Sequence, residues 1–169
     1  MRKTLLLPLV LSSTPLMAAE LQISVEIPRL QVAEYHRPYV ALWLEKTDQS
    51  HVADLAVWYD LKLKDKEGEK WLKDLRQWWR RSGRSLELPV DGVSSATRAV
   101  GTHKLTFDDS KAPLDDLPAG DYRLVIEAAR EVGGRELLRV PFSWPATSQQ
   151  IHKAQGESEL GAISLTLTP

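Results

Sequence analysis

The chain has 169 residues, with 22 basic and 23 acidic side chains, four histidines and no cysteine. Without cysteine there are no disulfides, thiolate metal sites, thiol-linked haems or cysteine nucleophiles. A charge balance this close to zero supplies no basic field for a nucleic-acid partner.

The chain opens with Arg2 and Lys3, an apolar run Thr4–Leu11, and the small-residue stretch Ser12–Ala19. That layout predicts a secretory signal peptide over residues 1–19, cleaved after Ala19. The apolar run is too short to span a bilayer, which takes roughly 20 residues, and Pro8 and Pro15 interrupt it. No second apolar run of spanning length follows, so the mature chain is expected not to cross the membrane. Loss of Arg2 and Lys3 leaves 20 basic against 23 acidic residues, a net charge of −3. The remainder is long enough to build a core without disulfides. It shows no internal repeat or low-complexity tract, so residues 20–169 are expected to form one domain.

Strand signals then recur along the chain. Leu21, Ile23, Val25 and Ile27 alternate with polar residues until Pro28. Val40, Leu42 and Leu44 form a second alternation, and Leu55, Val57, Tyr59, Leu61 and Leu63 a long third one. His103-Leu105-Phe107 and Tyr122-Leu124-Ile126-Ala128 flank a polar excursion that closes on Leu117-Pro118-Ala119-Gly120, a sequence suited to a type I turn. Leu138, Val140, Phe142 and Trp144, then Ile163, Leu165 and Leu167, complete the series. Period-two alternation marks strands buried on one face. Seven such strands between turn signals predict an all-β protein, an immunoglobulin-like antiparallel β-sandwich. Tyr122 stands where such folds place a corner tyrosine whose hydroxyl bonds to upstream backbone.

One segment breaks this period. In Lys70–Arg81, residues Trp71, Leu72, Leu75, Trp78 and Trp79 share one helical face, with Lys73, Arg76 and Arg80 opposite. An amphipathic helix inserted into the sandwich is expected here. It has two readings: a helix capping one end of the sandwich with its tryptophans in the core, or an aromatic, cationic lip around a ligand. In the second, Trp78 and Trp79 stack on the ligand while Arg80 or Arg81 engages an acid. The stretch from Lys70 to Arg84 holds six basic residues against Asp74 alone, the strongest local charge bias of the mature chain.

Arg98 ends the polar loop Val93–Arg98, and its rigid fork suits a carboxylate or phosphate. Glu127, Arg130 and Glu131 close the central strand. An ion pair of Arg98 with Glu127 or Glu131, pinning loop to sheet, is the structural alternative to a binding role. His36, His51, His103 and His152 show no metal-ligand spacing, and His103 points with Leu105 and Phe107 toward the core. No Gly-x-Ser-x-Gly elbow is present. The acids Asp108, Asp109, Asp115 and Asp116 lack any calcium-loop register.

The succession Tyr39–Glu45, Trp71-Leu72-x-Asp74-Leu75-Arg76-x-Trp78, Ser94-x-Ala96-Thr97-Arg98, Leu117-Pro118-Ala119-Gly120-x-Tyr122 and Glu127–Glu131 resembles domain-of-unknown-function family 2271 over nearly all of the mature chain. The resemblance implies a periplasmic protein of Gram-negative bacteria. It also implies company: PepSY-type membrane proteins and flavin transferases, hence a flavin or iron-reduction system. Two departures stand out, Ser95 where the family usually has Gly and Val132 where it usually has His.

The resulting expectation is a periplasmic, non-enzymatic binding or accessory module without metal or cofactor. It would use Trp78, Trp79, Arg80, Arg98, Glu127, Arg130 and Glu131 toward a PepSY-type membrane reductase or a flavin-bearing periplasmic domain. The alternative is a small metal carrier or enzyme with a cleft between the inserted helix and the Arg98 loop.

Overall fold

The computed structural model describes residues 18–169; the expected leader, apart from Ala18 and Ala19, lies outside the described residues. Two sheets form. The first holds β5 (Gly101–Asp108), β1 (Glu20–Ile27), β9 (Ala162–Thr168) and β8 (Gln150–Gln155) in that spatial order. The second holds β4 (Ser94–Ala96), β3 (His51–Tyr59), β2 (Tyr39–Lys46), β6 (Gly120–Ala129) and β7 (Arg135–Trp144).

Alternation along the strands builds the core between the sheets. Leu21, Ile23, Val25 and Ile27 of β1 meet Val40, Leu42, Leu44, Leu124 and Ile126 from the opposite sheet. The expected corner contact forms, Tyr122 donating its hydroxyl hydrogen to the Pro118 carbonyl at 2.7 Å.

The strand inventory differs from the expected seven: among the described residues there are nine. β4 and β8 are the additions. β4 has three residues and pairs parallel to β3, so it carries no readable alternation. β8 alternates only between half-buried and exposed positions. The long third strand also shifts, beginning at His51 and ending at Tyr59. Leu61 and Leu63 leave the sheet and are exposed.

A further layer covers the outer face of the second sheet. β2 is buried on both faces from Tyr39 to Glu45, a pattern that requires apolar cover on each side. The cover is the insertion between β3 and β4, which carries two short helices, α1 (Glu67–Lys70) and α2 (Arg76–Arg81). Leu72, Leu75 and Trp78 are fully buried against Ala41, Trp43, Val57, Tyr59 and Val125. Burial of each leucine contributes about 2 kcal/mol. The insertion therefore lies flat on a sheet face and does not cap the end of the sandwich.

The continuous helix expected over Lys70–Arg81 is broken. Leu75 takes φ −75 and ψ 71, outside the helical region. The cause lies on β6. A continuous helix would bond the Trp78 N–H to the Asp74 carbonyl. Here the Glu127 carboxylate receives it at 2.8 Å, together with the Gln77 N–H at 3.0 Å. The carboxylate starts α2 anew, satisfying donors that a helix start leaves without partners.

Candidate functional site

A cavity of about 490 Å³ opens at the end of the second sheet. The connection from β1 to β2 supplies Tyr35, His36 and Arg37, and β2 adds Tyr39. Asp60 follows β3, the insertion contributes Leu63, Trp71 and Asp74, and Thr97 follows β4. The turn between β6 and β7 completes the wall with Arg130, Glu131 and Val132. The volume suits a small molecule or a long side chain.

The wall combines exposed apolar groups with a polar floor. Trp71 is 50 % exposed and Val132 79 %. Val132 sits at φ +51, a backbone state that strains a β-branched residue by about 1–3 kcal/mol. Tyr39 Oη lies 3.5 Å from Asp60 Oδ2, and Thr97 Oγ1 lies 3.3 Å from Asp60 Oδ1. Burial, and then the negative charge of Asp60, push the Tyr39 phenol up to about 12. His36 stands between two acids, 2.9 Å from Glu34 and 3.5 Å from Glu131.

Arg130 is held rigidly. Its side chain is 6 % exposed and forks onto Glu159 at 2.8 and 3.2 Å. Glu159 also accepts the Gly134 N–H. A Cβ on Gly133 would fall 2.4 Å from the Arg130 guanidinium carbon, so a side chain there would push the guanidinium from its place on Glu159. A second hollow of about 300 Å³ adjoins the first and is lined by Arg76, Arg130 and Arg135 with Asp74.

Of the expected site residues, Arg130 and Glu131 line the larger cavity and the others do not. Trp78 is fully buried, its indole N–H donated to Asp54 at 2.8 Å, so it offers no face to a ligand. Trp79 is half-buried against the same core, and Arg80 is exposed beside Gln77. Glu127 is fully buried beneath α2 and paired with Arg135 at 2.5 Å. Arg98 pairs with neither Glu127 nor Glu131. Its guanidinium lies 5.2 Å over the Trp58 ring and donates to Ser95 Oγ at 3.3 Å. An Arg 30 or so residues from a candidate acid carries no signal that an aromatic face will take it instead.

The broken helix also reverses the roles of two tryptophans. On a continuous helix Trp71 would share the buried face with Trp78. The break at Leu75 turns Trp71 out to the cavity while Leu72, Leu75 and Trp78 stay on the sheet. His103, expected in the core, is half-buried, 2.7 Å from the Ala99 carbonyl and edge-on to Trp58. Among the described residues, no three His, Asp or Glu side chains are grouped to hold a metal ion. No described helix is long and apolar enough to cross a membrane.

The family model described as "Predicted periplasmic protein (DUF2271)" matches residues 20–162. The chain belongs to this family. The DUF2271 match begins with β1 and ends at the first residue of β9, so it takes in every wall of the cavity and all of the core but Ala19 and the inward residues of β9. The description places the protein in the periplasm, the compartment the leader predicts. No curated protein and no solved structure matches the DUF2271 chain.

Proposed function

We propose that this DUF2271 protein is a non-enzymatic periplasmic binding or accessory module, exported by a leader cleaved from a single domain over residues 20–169. Its cavity between the insertion, the loop after β4 and the β6–β7 turn receives the ligand. The observation that carries the reading is Trp71, half exposed at the wall of a 490 Å³ cavity although its neighbours Leu72 and Leu75 are fully buried. A half-exposed tryptophan in a concavity is a common anchor of binding energy. The implied setting is a membrane flavin or iron-reduction system. The partner is then a PepSY-type reductase or a flavin-bearing periplasmic domain, which presents a group to the cavity.

An immunoglobulin-like reading of the sandwich accompanies this. The corner contact of Tyr122 and the neighbour order β3-β2-β6-β7 support it. On that reading β9 takes the place beside β1 that a first strand usually fills.

A photocrosslinking amino acid at position 71 tests the binding role in cells, with position 151 as control. Ile151 is 60 % exposed on β8 of the other sheet. Adducts specific to position 71 are expected. Equal labelling at both positions would remove the reading.

A further inference from the structure

The larger cavity combines three aromatic rings, Tyr35, Tyr39 and Trp71, with the carboxylates Asp60 and Asp74. Among the described residues, neither carboxylate makes an ion pair. Asp60 is held by neutral hydroxyls alone, those of Tyr39 and Thr97. The basic groups on the wall are differently placed. Arg130 gives Nε and Nη2 to Glu159 and, among the described residues, keeps only Nη1 without a partner, and His36 lies between Glu34 and Glu131. Arg37 is exposed at the mouth, where water screens it.

We infer that the cavity binds an organic cation, an ammonium group seated against the aromatic rings and facing Asp60 and Asp74. This rests on the binding role proposed above and names the chemistry of its ligand. Aromatic faces attract ammonium groups through their quadrupole, most strongly where water is excluded, and tryptophan is the best of them. The Trp71 ring has an ammonium neighbour from its own segment: Lys73 Nζ stands 5.8 Å from the ring centre, and Lys73 is not part of the cavity wall. The Tyr39 phenol is pushed up by its own burial and by the negative charge of Asp60 and Glu131. An anion would have to sit beside three carboxylates, with Arg37 and the single unpartnered Nη1 of Arg130 as its guanidinium partners on the wall.

The ammonium can come from a free amine or from a lysine of a partner protein, and two probes separate them. The purified exported protein is titrated calorimetrically with choline, with choline's neutral carbon isostere, with a lysine capped at both ends, and with acetate. Choline is expected to bind about tenfold or more tightly than the isostere. Trp71→Ala and Asp60→Asn are each expected to weaken it about tenfold, with circular dichroism unchanged. Should Asp60→Asn fail to fold, Asp74→Asn, at an exposed position, replaces it. Capped lysine binding as tightly as choline identifies a partner's side chain as the source; choline alone identifies a free amine. Equal binding of choline and isostere, tighter binding of acetate, or no cation bound at millimolar concentration would overturn the inference. Crosslinks at position 71 alongside any of those results leave the binding role standing and remove only the cation.

Discussion

Glu127 on β6 holds Trp78 in place from beneath, its carboxylate accepting the Trp78 main-chain N–H at 2.8 Å in a fully buried setting. The same carboxylate accepts Gln77 N–H and pairs with Arg135. One side chain therefore joins the sheet, the insertion and the β7 edge. It also sets where the helix breaks, and through that which tryptophan reaches the cavity.

Glu127→Ala is expected to destabilise the fold by about 3 kcal/mol, since it leaves the buried Trp78 N–H and the half-buried Gln77 N–H without acceptors. Arg135, which is 32 % exposed, can turn to water and adds little. Chemical denaturation of the variant checks this. A loss below about 1 kcal/mol would show that the N–H contacts carry no weight.

Trp78→Ala and Trp71→Ala should separate by several kcal/mol although both remove an indole. The first empties a fully buried site and is expected to cost about 3–5 kcal/mol. The second removes a half-exposed ring and should leave the melting temperature within about 2 °C. Thermal melts of the two proteins side by side decide it.

Arg98→Ala is expected to cost about 1–2 kcal/mol, the size of a cation–π contact between a half-buried guanidinium and the fully buried Trp58 ring. An ion pair with a buried Glu127 would have cost about 3–5 kcal/mol on loss of its arginine. Urea midpoints of wild type and variant distinguish the two magnitudes.

Asp54 makes acid stability testable. Burial raises its carboxyl, but the proximity of His51 and the hydrogen bonds from Ser82 and Trp78 outweigh that, and its pKa lies below the ordinary 3.8. His51 Nε2 sits 3.0 Å away without the alignment of a hydrogen bond. A folded pKa below the unfolded one means stability that is fully present above about pH 4 and is lost as pH falls through the folded value. Asp54→Asn should be less stable by about 2 kcal/mol at neutral pH, with the gap closing in acid. Melting curves from pH 7 down to pH 2 measure it, and a gap constant with pH would contradict the sign.

Much of the architecture was legible in the residues. Alternation in β1, β6 and β9 named the inward side chains, because one face of each strand meets the inter-sheet core. The Tyr122 corner contact was equally local. β4 escaped because a three-residue parallel edge has no period to read. The candidate site was legible only at Arg130 and Glu131. Helical periodicity put Trp71 and Trp78 on one face, and nothing within the insertion signals that the periodicity stops at Leu75.

By itself the amino-acid sequence determined which residues turn inward in most strands, the presence of an amphipathic insertion, and the absence of thiol chemistry. Those properties follow from local rules, the period of side-chain direction and the composition of the chain. Only the tertiary structure decided where the insertion lies, that Arg98 rests on Trp58, and that Trp71 and not Trp78 faces the cavity. Each of these turns on a contact between residues distant in the chain, above all Glu127 with the main chain of Gln77 and Trp78. A buried carboxylate takes whatever donors the packed fold brings to it, and no spacing along the chain names those donors in advance.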